Sequence, residues 1–269
     1  MNEALRKRVL TAVVLAAALI VILLFLPVWA TVVALTVMLL AGAWEWSAFL
    51  RLSTAARRLI YVALVALLLP LAWRISADRD GRDLILFAAV LWWVTAFMWI
   101  AFAPRLVSRW AAGVAGVLAL VPTWLALVWL RLAPPHGQWV LFTLILVWVA
   151  DIGAFFAGRR FGRIRLAPEV SPGKTWEGVL GGVALSALVA VGGSLWFRVP
   201  LEVFLPLCLA TVAFSVIGDL TESLLKRYAG MKDSGSLFPG HGGVMDRIDS
   251  LTGAAPVLLL GLTLLKVVA

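Results

Sequence analysis

The chain has one cysteine, two tyrosines and little charge: Asp, Glu, Lys and Arg make up 14% of its 269 residues. Its single thiol, Cys208, sits in an apolar run, so neither a disulfide framework nor a thiolate metal cluster can be built, and the residue reads as a small buried hydrophobe. Charge this sparse, against about a quarter of residues in soluble domains, excludes an ordinary water-soluble fold. The spacing G-x-x-x-x-G-K-[ST] is absent, which removes the usual support for an ATPase. No internal repeat or low-complexity linker is visible. What the chain does have is 63% hydrophobic side chains, a mean hydropathy of +1.03, fourteen Trp and thirteen Phe, a composition for lipid and its interfaces rather than for disorder.

A bilayer span needs about 20 predominantly apolar residues. Nine runs meet or approach this: 9–26, 29–49, 59–73, 84–102, 111–130, 139–156, 179–197, 201–220 and 251–268. The sequence thus predicts an all-α polytopic membrane protein of about nine helices, a single integral membrane domain. In it, 1–135 supply the first five helices and 136–269 form a catalytic half with polar segments 151–178 and 219–249. The first run follows Arg6, Lys7 and Arg8 and is longer than a secretory signal core, so it is read as a retained helix. A net charge of +9 could suggest nucleic acid, but the bases are scattered between apolar runs. Seventeen of the 23 Lys and Arg fall on one side of the nine-span scheme, which predicts a cytoplasmic N-terminus, an outer C-terminus and both long polar segments inside.

Eight of the fourteen carboxylates fall in 151–177 and 219–249, where even spreading would give about three. Any connection between spans gathers polar residues, but acids at the very ends of apolar helices need more explanation. Asp151 and Asp219 each end an apolar run, where an ionised carboxylate is costly unless paired or metal-bound; snorkelling to the interface is the plain alternative. If the helix continues past Asp219, then Glu222, Ser223 and Lys226 return to its face. Asp246 and Asp249, three apart, could share one side of the turn into the last span. Carboxylates on two converging helices suit Mg²⁺, a hard cation that takes oxygen ligands and keeps waters for phosphates.

The segment Phe238-Pro239-Gly240-His241-Gly242-Gly243 cannot be membrane helix and must be a loop, whose N–H groups can curl around an anion. Lys226, Arg227, Lys232 and Arg247 flank it with the charge that phosphates seek. Gly158 to Arg163 and Ser171-Pro172-Gly173-Lys174-Thr175 have a similar composition. His241 could shuttle a proton or simply hydrogen-bond a phosphate or the loop; His136 reads as an ordinary loop residue. Acids for metal beside bases for phosphate suggest phosphoryl or nucleotidyl transfer to a lipid.

These residues carry a resemblance. Ser223 to Arg227, Lys232-Asp233-Ser234-Gly235, Leu237 to Gly243 and Asp246-Arg247-Ile248-Asp249 form S-x-x-K-R-x4-K-D-x-G followed by P-G-H-G-G-x-x-D-R-x-D. That pattern resembles the signature of the phosphatidate cytidylyltransferase (CDP-diacylglycerol synthase) family. Asp151 to Gly162 and Ser171 to Gly178 look like the family's other polar segment, with Ile152 and Phe155 departing from it. The resemblance covers roughly 40% of the chain, from Asp151 to Asp249. It implies transfer of the cytidylyl group of CTP to phosphatidate, with release of pyrophosphate, in a homodimer; the expected compartment, a bacterial inner membrane, is read from a compact chain without a cleavable presequence. It also implies Asp219 and Asp246 as ligands of Mg²⁺, with one or two divalent ions, room for a monovalent one, and Asp151 as a further candidate. Asp249 or Asp151 would stand behind them. Lys174, Ser171, Lys226, Arg227, Lys232, Gly240, Gly242, Gly243 and Arg247 would hold the phosphates of CTP and phosphatidate. Two other readings of the residues compete: a CTP-dependent lipid or polyprenol kinase, and an ion-coupled transporter, which would place its acids near mid-bilayer.

Overall fold

Eight of the apolar runs form helices long and apolar enough to cross a bilayer in a computed structural model of the chain, which describes residues 20–235 and 242–268. They are α1 (Val28–Trp46), α2 (Ala55–Ile75), α3 (Arg79–Phe102), α4 (Arg109–Leu132), α5 (Gln138–Phe161), α6 (Trp176–Phe197), α7 (Leu201–Ala229) and α8 (Met245–Leu264). Of the first expected run, residues 20–24 are helical and the rest lies outside the described residues. The polytopic α-helical architecture read from the sequence is the one observed. One addition is a short antiparallel hairpin between α5 and α6, β1 (Arg165–Ala167) with β2 (Ser171–Thr175), in which Arg165 pairs with Thr175.

Local chemistry sets the helix starts. Thr54, Asp78, Ser108 and Thr175 stand at the N-caps of α2, α3, α4 and α6, and each side chain accepts the N–H three residues on. The third apolar run is longer than its hydropathy suggests, because α2 carries Arg57 and Arg58 in its first turn and reaches full spanning length at 21 residues. Helix α7 does not stop at Asp219. Nothing between Asp219 and Ala229 breaks a helix, and Gly230, at φ +72, closes it eleven residues after Asp219.

Helices α4 and α8 form the centre: 72% and 78% of their apolar windows are buried, against 22% for α2 at the periphery. Small residues let the remaining helices close on this centre. On α5 and α6, a Cβ at Gly153 would stand 2.6 Å from the Gly181 carbonyl, and one at Gly182 2.7 Å from the Ala150 carbonyl. At one end of this pair Trp139 stacks on Phe197 at 3.7 Å between ring centroids, with Phe142 and Phe204 edge-on to the tryptophan.

Successive connections alternate between two faces. On one, Arg51 lies over the Tyr228 ring at 4.0 Å, Arg105 pairs with Glu169, and Lys174 pairs with Asp219. This gathers the α1–α2 and α3–α4 connections, the hairpin and the α7–α8 loop at one end of the bundle. At the opposite end Trp129 Nε1 donates to Ser76 and Arg79 donates to the Thr263 carbonyl.

Candidate active site

The site begins with the unbroken α7. Because the helix runs on, Asp219, Glu222, Ser223 and Lys226 stand on one stripe, and that stripe faces the start of α8. Gly218 makes the approach possible: a Cβ there would lie 2.5 Å from the Asp249 carbonyl. Since α7 and α8 run in opposite directions, Asp249 meets the level of Asp219, and Asp246 meets the level of Glu222 and Lys226.

Lys226 is the centre of the upper level. Its Nζ donates to Glu222 Oε2 at 2.6 Å and to Asp246 Oδ1 at 2.8 Å, and its side chain is only 13% exposed. The other oxygen of Asp246 accepts two backbone N–H groups, from Ser234 at 3.0 Å and Gly243 at 2.8 Å. Gly242, at φ +81, lies against the same carboxylate, where a Cβ would stand 2.5 Å from Oδ2. The described glycines of the loop thus wrap a protein carboxylate.

At the lower level, β2 brings Lys174 into a close ion pair with Asp219, and the Ser223 hydroxyl donates to Asp219 Oδ1 at 3.4 Å. Asp151, on α5, lies within electrostatic reach of both Asp219 and Lys174. Asp249 stands beside Asp219 and Glu222. Glu222 Oε1 is buried and, among the described residues, receives no N–H or hydroxyl donor; the Asp249 carboxyl lies beside the Glu222 side chain.

The two levels hold five carboxylates, Asp151, Asp219, Glu222, Asp246 and Asp249, against the two ammonium groups of Lys174 and Lys226. So many carboxylates gathered around two ammonium groups at the end of a membrane bundle suit a bound cation. Among the described residues no three His, Cys, Asp or Glu side chains form a closed metal cage. Mg²⁺ needs no such cage, since it is held by one or two carboxylates and completes its shell with waters and substrate phosphates. The donors present, all oxygens and one of them buried without a donor, fit such an ion.

The other candidates are spread around this seam. Ser171 starts β2 opposite Ala167, and Lys232 is exposed in the stretch after Gly230. Arg247 is exposed on the first turn of α8. Arg227 is carried round α7 away from Lys226 and lines a separate cavity of about 530 Å³ with Arg105, Glu169 and Tyr228. Gly240 and His241 lie outside the described residues.

One polar residue of the site went unassigned in the sequence reading. Glu45, in the last turn of α1, is buried, and its Oε2 accepts the Ser234 hydroxyl at 3.0 Å and the Met245 N–H at 2.8 Å. An acid inside an apolar run was the available signal; its partners, about 200 residues away, were not.

The sequence profile of the cytidylyltransferase family matches residues 6–265 of this chain. A phosphatidate cytidylyltransferase of Haemophilus influenzae is 38% identical over 278 aligned positions, covering 94% of this chain and 96% of the relative. One from Pseudomonas aeruginosa is 41% identical over 80% of this chain and 81% of its own, and one from Brucella suis is 44% identical over 58% and 60%.

Proposed function

The chain belongs to the cytidylyltransferase family, and from that premise we propose how its polar seam carries out the transfer of a cytidylyl group from CTP to phosphatidate, yielding CDP-diacylglycerol and pyrophosphate. The protein is an integral membrane nucleotidyltransferase of phospholipid synthesis. The observation that carries the reading is the α7–α8 seam: oxygen ligands and lysines interleaved at one end of an apolar bundle, where a lipid phosphate and a water-soluble nucleotide can both arrive.

The lipid supplies its own nucleophile. A phosphate monoester with a second pKa near 6 is largely dianionic at neutral pH, so no strong general base is required. A phosphatidate oxygen attacks the α-phosphorus of CTP. The new P–O bond forms as the bond from the α-phosphorus to the oxygen bridging it to the β-phosphate breaks, and pyrophosphate leaves with that electron pair. What the protein supplies is alignment and charge neutralisation.

Asp219 and Asp246 would hold Mg²⁺, with Asp151 and Asp249 beside them; when bound, the ion screens the phosphates and the departing pyrophosphate. Lys174 sits on a hairpin rather than in a helix, so it can leave Asp219 and follow an incoming phosphate. Lys226 is fixed by two carboxylates and offers a stationary positive charge to the leaving group. Ser171, Lys232 and Arg247, with the loop from Gly240 to Gly243, would complete the phosphate cradle. His241 would serve that loop by a hydrogen bond or a proton, and Arg227 would act from the flank. The polar end faces the cytoplasm of a bacterial inner membrane, where CTP is found, and the protein works as a homodimer.

Product analysis tests the assignment. Purified protein in detergent is given phosphatidate, Mg²⁺ and CTP labelled at the α- or the γ-phosphate. A cytidylyltransferase puts the α-label into lipid and the γ-label into pyrophosphate. Transfer of the γ-label to lipid would make the protein a lipid kinase instead.

A further inference from the structure

Glu45 belongs to none of the motifs that carry the resemblance. The residue is 7% exposed at the end of an apolar helix, where an acid is costly unless donors surround it. The donors come from the far end of the chain. Oε2 takes the Ser234 hydroxyl and the Met245 N–H, at sequence separations of 189 and 200 residues. Two glycines make room: a Cβ on Gly235 would collide with Oε1, and one on Gly243 would collide with Oε2. Gly42, one turn earlier on α1, lets α1 reach α8, since a Cβ there would meet Met245 Sδ at 3.0 Å.

Ser234, which Glu45 grips, also holds Asp246. Ser234 donates its N–H to Asp246 Oδ2 at 3.0 Å, and its hydroxyl oxygen accepts the Asp246 N–H at 3.2 Å. Gly243 donates its N–H to the same Oδ2 at 2.8 Å. Asp246 then fixes Lys226 through its other oxygen at 2.8 Å. An unbroken chain of hydrogen bonds therefore runs from Glu45 through Ser234 to Asp246 and Lys226.

We propose that Glu45 is a positioning residue for the transfer reaction, clamping the two ends of the α7–α8 loop so that Asp246 and Lys226 hold their places at the seam. The clamp makes the N-terminal half a working part of the site. This inference rests on the cytidylyltransferase reading for its kinetic consequences, but the clamp itself is a matter of hydrogen bonds and can be measured without turnover.

The test uses Glu45→Gln, which keeps the shape and one acceptor but removes the charge, alongside Glu45→Asp and Ser234→Ala in the full-length protein. Glu45→Gln is expected to lower kcat by about 10- to 100-fold, the loss typical when a group orienting a ligand residue is removed. The Mg²⁺ concentration for half-maximal rate should rise several-fold, with little change in KM for phosphatidate. Combined with Ser234→Ala, the two losses in kcat should fall short of multiplying, because both act on Asp246. Glu45→Asp should recover part of the Glu45→Gln loss. Amide hydrogen exchange gives a second readout: Glu45→Gln should speed exchange at Ser234, Gly243 and Met245 while the centres of α4 and α8 stay protected. Unchanged exchange at those amides would overturn the proposal, as would a kcat within twofold of the parent with the same Mg²⁺ dependence. Slower turnover with unaltered Mg²⁺ dependence and uniformly faster exchange would overturn it too, since that pattern belongs to general destabilisation. If the parent protein made no CDP-lipid, the functional reading would fall, and the exchange data alone would decide the clamp.

Discussion

Replacing Lys226 by Met removes the ammonium that bridges Glu222 and Asp246. In the parent protein the ammonium makes two short charge-assisted bonds, at 2.6 and 2.8 Å, with 13% of the side chain exposed and 1% of Glu222. Breaking a buried ion pair from one side costs about 3–5 kcal/mol, because the partner's charge is left without compensation. Here two carboxylates lose their partner at once, though Asp246 retains the Ser234 and Gly243 N–H groups. The loss should therefore fall on Glu222, whose other oxygen already receives no N–H or hydroxyl donor. Glu222→Gln alone leaves the Lys226–Asp246 bond intact and should cost less, about 1–3 kcal/mol for one hydrogen bond to a charged group. The double variant should be more stable than the sum of the two losses implies, by about 1–3 kcal/mol, since the amide no longer needs the missing ammonium. SDS-titration unfolding in mixed micelles measures all three. A Lys226→Met variant within about 1 kcal/mol of the parent, or strict additivity in the double variant, would refute this account of the seam.

Three further outcomes follow from the geometry. Gly153→Leu puts a side chain where a Cβ alone would meet the Gly181 carbonyl at 2.6 Å; it should destabilise the protein by about 1–3 kcal/mol in the same unfolding assay, and a neutral result would contradict the close α5–α6 approach. Arg105→Ala breaks a pair that is 83% and 51% exposed, so the unfolding free energy should change by less than about 1 kcal/mol and the difference should vanish at high salt. Stripping divalent ions with EDTA should reduce pyrophosphate release to background and added Mg²⁺ should restore it; turnover that persists in EDTA would remove the metal assignment.

The helices and the clustering of acids were legible because both are local properties. Apolar runs of spanning length report themselves, and Asp219, Glu222 and Lys226 share a face as soon as the helix is known to continue. That continuation depended on the absence of a breaker before Gly230, which hydropathy alone does not weigh. The hairpin was hidden because Ser171-Pro172-Gly173-Lys174-Thr175 reads as a loop by composition, and only the pairing of Thr175 with Arg165 makes it a strand. Which lysine meets which aspartate was equally hidden. The pairs Lys174–Asp219 and Lys226–Asp246 join separate elements, and spacing along one element says nothing about them. Glu45 shows the limit most sharply: a buried acid in an apolar run signals a function, but its donors, Ser234 and the first residue of α8, lie 189 and 200 residues away. The clustered glycines suggested an anion cradle, and the structure gives two of them an anion from within, the Asp246 carboxylate against Gly242 and the Glu45 carboxylate against Gly243.

The central claim is that the acids of the α7–α8 seam run the chemistry, and Asp219→Asn tests it most directly. The substitution keeps the side chain's volume and its place beside Lys174 and Ser223 while removing the charge. With CTP labelled at the α-phosphate, phosphatidate and saturating Mg²⁺, the folded variant should put no label into lipid above background. A variant that still makes CDP-diacylglycerol at near the parental rate would contradict the claim.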